Sequence, residues 1–220
     1  MHTVHQLAST PNVLVFMGLR KLAAAHEALA KFASDIHPSS EVVPVQLDIT
    51  DDASVKNAHA SIAKKLEERN LAGLDVLINN AAIGLPSFSF KDTYVVNVIG
   101  TAAITEALRP LINNGGAILN ISSGLGSLAW HTQRPPPPLY PAYSSSKSAL
   151  NSLTLQWAIQ EEQNGSGIRV VSIDPGSNAT NLNYAGAMDP ADGCKVIVRA
   201  ALEKDGKSGI YFNKDGEVKW

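Results

Sequence analysis

Short apolar runs recur along this chain, and each stops abruptly at a polar or turn-forming residue. They lie at 13–17 (Val-Leu-Val-Phe-Met), 42–47, 76–78, 117–121 and 169–173, with a last short one at 210–212. Runs of this length bounded by turn signals read as strands buried on both faces. The stretches between them carry helical spacing. Leu22, Ala25, Leu29 and Phe32 place a helix from 21 to about 36, and Val55, Ala58, Ile62 and Leu66 place one from 52 to about 70, capped by Asp51 or Asp52. Further helices are expected over 93–113 and from Tyr143 to about 163, where Gly165 and Gly167 follow, and from Asp189-Pro190 to about 203. Gly18 reads as the end of the first strand. Strictly alternating strands and helices predict an α/β fold built on one mostly parallel sheet, since parallel neighbours need a helical crossover. Nothing in the 220 residues reads as a linker, so a single domain over 1–220 is expected.

Composition narrows the functional classes. A hydrophobic share of 45% against 17% charged fits a globular protein, and a net charge of −2 offers no footprint for nucleic acid. The single cysteine, Cys194, excludes an internal disulfide and reads as a small buried side chain. No apolar run is long enough to span a membrane, the start lacks a secretory signature, and cytoplasm is the expected compartment. The histidines show no metal-ligand spacing, so no metal is expected.

Open parallel sheets bind ligands at the carboxyl ends of their strands, and the polar residues of this chain gather there. Asp48 follows the second run, Asn79 and Asn80 the third, Ser122 and Ser123 the fourth, and Pro175-Gly176 the fifth. Twenty residues past Ser123 stand Tyr143 and Lys147. Their i,i+4 spacing puts a phenol and an ammonium on one helix face. A cation there favours phenolate and lowers a pKa that starts near ~10. Each residue also has a plainer reading. Ser122 and Ser123 can form a strand-end turn, Asn79 and Asn80 can bond to local backbone, Asp48 can cap the following loop, Asn97 can be a polar helix residue, and Pro175-Gly176 can be only a turn.

Taken together these residues resemble the short-chain dehydrogenase/reductase family, from about residue 13 to the C-terminus. Asp48-Ile49-Thr50 is similar to the family's Asp-x-Thr, whose Asp contacts the cofactor adenine. Asn79-Asn80-Ala81-Ala82 is similar to Asn-Asn-Ala-Gly, with Ala82 in place of Gly. Val96-Asn97-Val98-Ile99-Gly100 resembles the segment whose Asn anchors a water relay to the catalytic Lys. Asn120-Ile121-Ser122-Ser123 resembles the strand that presents the catalytic Ser, Tyr143-x-x-x-Lys147 the catalytic pair, and Pro175-Gly176-Ser177-Asn178-Ala179-Thr180 the Pro-Gly-x-x-x-Thr segment that holds the nicotinamide. Residues 122–127, Ser-Ser-Gly-Leu-Gly-Ser, are most like the carbonyl-reductase-like members.

The resemblance implies a doubly wound Rossmann-like sheet and an oxidoreductase interconverting a carbonyl and an alcohol. It assigns Ser123 to the substrate oxygen, Tyr143 to proton transfer, Lys147 to lowering the Tyr143 pKa and binding ribose, and Asn97 to the water relay. It makes Asp48, Asn79, Tyr143, Lys147, Pro175, Gly176, Asn178 and Thr180 cofactor contacts. Arg20, followed by Lys21 with no acid nearby, suits the 2′-phosphate of NADP better than NAD. A small-molecule carbonyl or alcohol is the implied partner. Relatives commonly pair through the helices at 93–113 and 142–163, so a homo-oligomer fits as well.

The chain also departs from the family. Its first glycine is Gly18, so the Gly-rich turn that holds pyrophosphate has no counterpart, and roughly 20–30 residues of the first βα unit are expected to be missing. The absent strand would stand between those at 13–17 and 76–78. Three readings follow: an incomplete version of a full enzyme, a chain that joins the two strands directly and binds cofactor weakly, or a cleft turned to isomerase, dehydratase or cyclase chemistry or to no chemistry. Residues 129–141 form an insert with four consecutive prolines, either a wall of the substrate pocket or an exposed loop. Short segments after Asn79 and after Thr180 predict an open cleft with a small lid.

Overall fold

The computed structural model describes residues 1–84, 89–180 and 188–220. It divides into two compact units, Met1–Ala72 and Gly73–Trp220. The irregular segment expected around 84–90 and the short lid after Thr180 fall mainly on 85–88 and 181–187, outside the described residues.

In the first unit, α1 (His2–Ala8) leads to β1 (Leu14–Leu19), α2 (Leu22–Ala30), β2 (Glu41–Gln46) and α3 (Asp52–Glu68). β1 and β2 are parallel, with Leu14 opposite Glu41 and Leu19 opposite Gln46. Gly18 does not end the strand. It lies inside the ladder opposite Val45, and a Cβ there would come within 2.9 Å of the Leu47 side chain. The helix expected to reach residue 36 stops at Ala30 and gives way to a 3-10 turn at Ala33–Asp35. Phe32 leaves the helical conformation at φ −136°, is buried, and packs against His5 with ring centroids 4.8 Å apart. That aromatic contact outweighs another helical turn. Asp51 caps α3 as expected, its carboxylate accepting from the Ala53 amide at 3.0 Å.

The second unit holds β3 (Leu74–Asn79), α4 (Phe90–Tyr94), a π-helical turn (Val95–Gly100), α5 (Thr101–Leu108), β4 (Ile112–Ile121), α6 (Leu128–His131), α7 (Pro141–Asn164), β5 (Arg169–Ile173), α8 (Pro190–Gly193), α9 (Lys195–Leu202), β6 (Tyr211–Asn213) and β7 (Gly216–Glu217). β3 to β6 run parallel in chain order, and β7 closes the edge antiparallel to β6. Every residue of β5 is buried, as a central strand covered on both faces requires. Ala117, Leu119, Ile121, Val171, Ile173 and Phe212 pack with Val196, Ile197 and Ala200 of α9. Cys194 lies buried in that cluster, as its composition-based reading expected.

The α/β class and the mostly parallel sheet are as the sequence predicts. The described strands nevertheless fall into two hydrogen-bonded sheets, β1-β2 and β3 through β7, rather than one continuous ladder. A long strand also begins earlier than the apolar run suggested. The helix expected over 93–113 is broken into α, π, α and 3-10 pieces that end at Leu111, where Pro110 opens the tight last turn. Gly115, at φ +77°, and Gly116 then carry the chain through a register shift in β4, and a Cβ on Gly116 would meet the Asp75 carbonyl at 2.8 Å. No helix among the described residues is long and apolar enough to cross a membrane.

Candidate active site

The site is built on one row of the second sheet. Asn79, Asn120, Ser172 and Tyr211 occupy matching positions on β3, β4, β5 and β6. Asn79 donates to Thr105 Oγ1 and Asn120 Oδ1, both at 2.8 Å, and Asn120 donates to Thr154 Oγ1 at 2.9 Å. Thr154 and Ser172 hydroxyls meet at 2.9 Å. All of these side chains are buried, so the chain of bonds satisfies groups that would otherwise carry an unpaid desolvation cost. Asn79 thus ties β3 to β4 and to α5.

Directly beyond this row β4 ends, and Ser123 leaves the strand in extended conformation to cap a short turn, its Oγ accepting from the Leu125 amide at 3.3 Å. Ser122 points to Asn151 Oδ1 at 2.7 Å and belongs to the framework. Gly126 lets this turn press on α7, since a Cβ there would stand 2.9 Å from the Lys147 Cβ. Ser148 Oγ and Asn151 Nδ2 grip the Gly126 carbonyl at 2.9 and 3.2 Å. Pro141 opens α7, and Gly165 at φ +63° closes it. Tyr143 and Lys147 share its buried face, and the Ser123 hydroxyl is near enough to the Tyr143 phenol to favour its ionised form. The Lys147 ammonium donates to the Ile121 carbonyl at 2.7 Å and lies 5.8 Å from the centre of the Tyr143 ring.

The spacing brought these three groups together as expected, but not with the expected electrostatics. Burial pushes Tyr143 up to about 12, opposed by the Ser123 hydroxyl and reinforced by the negative charge of Asp174. Burial likewise pushes Lys147 down to about 8. The phenol is therefore held neutral, and desolvation, not the ammonium, dominates its titration. Asn97 is buried behind this triangle. Its side chain clamps the backbone of Ile83 from both sides at 2.9 Å and donates to Ser146 Oγ at 3.0 Å; Ser146 in turn donates to the Tyr143 carbonyl at 2.7 Å. Asn97 sits within the π-helical turn, a local irregularity that often marks a functional site.

After β5, the Asp174 carboxylate accepts the Gly176 amide at 2.9 Å, and Gly176 takes φ +80°. Only a glycine suits that conformation, and a Cβ would also stand 2.7 Å from Met188 Sδ. Asn178 Nδ2 donates to the carbonyls of Pro175 and Gly176, both at 3.0 Å, while its Oδ1 is buried without a hydrogen-bond partner. Thr180 is exposed. In the first unit, Arg20 and Lys21 are exposed at the end of β1. Asp48 Oδ1 accepts from the Thr50 hydroxyl at 2.7 Å and the Thr50 amide at 2.9 Å. These bonds, with a smaller contribution from Arg20, hold its carboxyl below the usual range.

Two residues were not legible as site residues. Tyr211 sits in an apolar run and donates to the Ser123 carbonyl at 2.7 Å, fixing the peptide that carries the hydroxyl. Asp174 interacts electrostatically with both Tyr143 and Tyr211. An acid at the exit of a buried apolar strand was the signal available for it. The insert at 129–141 divides in two: Ala129, Trp130 and Gln133 line a cavity beside the turn, and its prolines do not. No cluster of three or more metal-ligating side chains occurs among the described residues.

Comparisons with known proteins agree with this geometry. The family model described as short chain dehydrogenase matches residues 2–189. A short-chain dehydrogenase of Penicillium roqueforti, anuI, is 32% identical over 91% of this chain and 83% of its own length. An NADP-dependent 3-hydroxy acid dehydrogenase of Schizosaccharomyces pombe is 29% identical over 97% of this chain and 75% of its own. Among solved structures, an NADPH-bound carbonyl reductase from chicken fatty liver superposes with a TM-score of 0.79 at 27% identity, covering 100% of this chain and 93% of that one.

Proposed function

Because the chain belongs to the short-chain dehydrogenase family of oxidoreductases, we propose that it reduces a carbonyl compound to an alcohol with NADPH and that residues 1–220 act as one catalytic domain. The observation that carries this reading is the triangle of Ser123, a neutral Tyr143 and a buried Lys147 at the end of β4. NADPH, when bound, supplies the hydride. Ser123 holds the substrate oxygen by a hydrogen bond. Tyr143, protonated throughout the neutral range, gives its proton to that oxygen as negative charge develops there. A phenol held neutral suits proton donation. Lys147 confines the developing phenolate with a positive charge in a site of low polarity. Asn97 holds α7 at the level of Tyr143 through Ser146.

The nicotinamide half of the cofactor is matched by this chain's own groups. The Lys147 ammonium has three donors and one bond in the structure, to Ile121, which leaves donors for ribose hydroxyls. The unpartnered Asn178 Oδ1 is a suitable acceptor for a carboxamide. In the first unit, Asp48 is the candidate adenine contact, and exposed Arg20 the candidate partner of the 2′-phosphate. Residues 1–17 contain no glycine, so no phosphate-binding turn of the family type lies within them.

The test is NADPH oxidation by the purified chain across a panel of ketones and aldehydes, beside a Tyr143→Phe variant. The variant should lose roughly a thousandfold in kcat, within the range for a missing general acid. Undiminished turnover by Tyr143→Phe would end the assigned mechanism. Substrate conversion that proceeds without any nucleotide would instead favour isomerase, dehydratase or cyclase chemistry.

A further inference from the structure

Asp174 is a carboxylate in an unusual place. It is partly buried, accepts the Gly176 amide at 2.9 Å, and forms no salt bridge among the described residues. An asparagine carbonyl would accept the Gly176 amide equally well without a charge to desolvate, so that bond does not need the negative charge. Burial raises its pKa, which registers the same cost. A group retained against such a cost marks a functional site more often than a structural one.

Its surroundings indicate what the charge is for. Gly124, the residue after Ser123, has no side chain. A Cβ placed there would lie 2.9 Å from Trp130 Cζ3 and 3.1 Å from Asp174 Oδ2, so an indole and a carboxylate close on the same glycine with no room for one more carbon between them. All three line a cavity of about 340 Å³, together with Gln133, Asn213 and Lys219. That volume suits an organic group and far exceeds a bare ion. An aromatic ring beside a carboxylate is the pairing that recognises alkylammonium groups, through the ring's negative face and the opposite charge. Lys219 opposes this, but its side chain is exposed, where solvent and salt screen it. Its carbonyl is already bonded to Ser127 Oγ at 2.6 Å.

We propose that Gly124, Trp130 and Asp174 form a subsite for a positively charged nitrogen, so that the substrate is a carbonyl compound bearing an alkylammonium group a few bonds from its reacting carbon. The inference rests on the reductase reading: Ser123 directly precedes Gly124, and the Asp174 carboxylate is near enough to act on Tyr143.

Two methyl ketones of equal shape test it, one ending in trimethylammonium and the other in tert-butyl. The parent chain should favour the cationic ketone by about tenfold in kcat/KM, a modest value for a partly desolvated cation site. Asp174→Asn should erase that preference, bringing the two ketones to equal kcat/KM within the variant whatever the loss of its charge near Tyr143 does to both. Gly124→Ala, whose methyl group must push the Trp130 ring aside and which leaves the charge, should weaken it as well. Equal use of both ketones by the parent chain, or parallel loss on both in Asp174→Asn, overturns the subsite. Calorimetric titration with phenyltrimethylammonium separates this from failure of the reductase reading. Binding by the parent chain that Asp174→Asn loses sustains the subsite even if neither ketone is reduced, and no binding by the parent chain overturns it.

Discussion

The strand ends of the two units are built on different principles. In the Gly73–Trp220 unit, Asn79, Asn120 and Ser172 are buried and bonded across the sheet, and Ser123, Tyr143 and Lys147 stand directly on that row. In the Met1–Ala72 unit, Arg20 is exposed and Asp48 is turned to its neighbour Thr50. Proton transfer needs a dry, fixed geometry, because burial alone moves Tyr143 and Lys147 far from their solution titration. Recognition of a nucleotide's outer groups can rest on solvated charges, each of modest worth. Substitutions in the second unit should therefore move stability together with chemistry, and substitutions in the first should move affinity alone.

Lys147 gives the sharpest break. Its pKa falls from 10.5 unfolded to about 8 folded, so the folded state binds fewer protons than the unfolded state between those values. Stability should rise with pH through that window, by an amount on the order of 3 kcal/mol. Tyr143 acts above it. Its folded pKa of about 12 exceeds the reference value of 10.0, so the unfolded state ionises first and stability should fall from pH 10 towards 12. Urea unfolding across pH 7 to 12 should trace this rise and fall. Lys147→Met should flatten the rise while abolishing turnover. A parent chain whose stability stays level between pH 8 and 10 would mean that Lys147 is not held in the dry environment described.

The buried row comes next. Asn79→Ala leaves Asn120 Oδ1 and Thr105 Oγ1 short of a donor, at a cost of about 2 kcal/mol or roughly 4–8 °C in Tm. Thermal unfolding measures this directly. Turnover should fall too, since Ser123 follows the strand that Asn79 holds. Unchanged stability in Asn79→Ala would make the row ornamental and erase the contrast with the first unit.

What the sequence disclosed follows the same division. Ser123, Tyr143 and Lys147 were legible because strand ends concentrate chemistry and because an i,i+4 pair must share a helix face. Their pKa values were not, since spacing places the ammonium near the phenol but carries no measure of how much water burial removes. Tyr211 was hidden by its apolar neighbours. Asn97 was legible as a candidate, but the grip of its side chain on Ile83 was not, because that contact is set by tertiary packing. The helix expected to reach residue 113 ended early because Pro110 and the Gly115-Gly116 bulge act jointly with β3, which local periodicity does not record. Gly18 was mistaken for a terminator because a glycine inside a ladder looks, in one dimension, like a glycine at its end.

The smallest effect is expected at Arg20, and it tests the other half of the contrast. An exposed guanidinium paired with a 2′-phosphate contributes about 1 kcal/mol after screening, so Arg20→Ala should raise KM for NADPH roughly fivefold. KM for NADH, which has no 2′-phosphate, should stay within about twofold. Stability should change by less than ~0.5 kcal/mol, as for a surface substitution with no buried partner. Raising the salt concentration should shrink the NADPH effect in the parent chain, because solvated charges are screened over about a Debye length. Equal losses with both nucleotides would show that Arg20 does not read the phosphate. A large drop in Tm would show that the first unit depends on it structurally, as the second depends on Asn79.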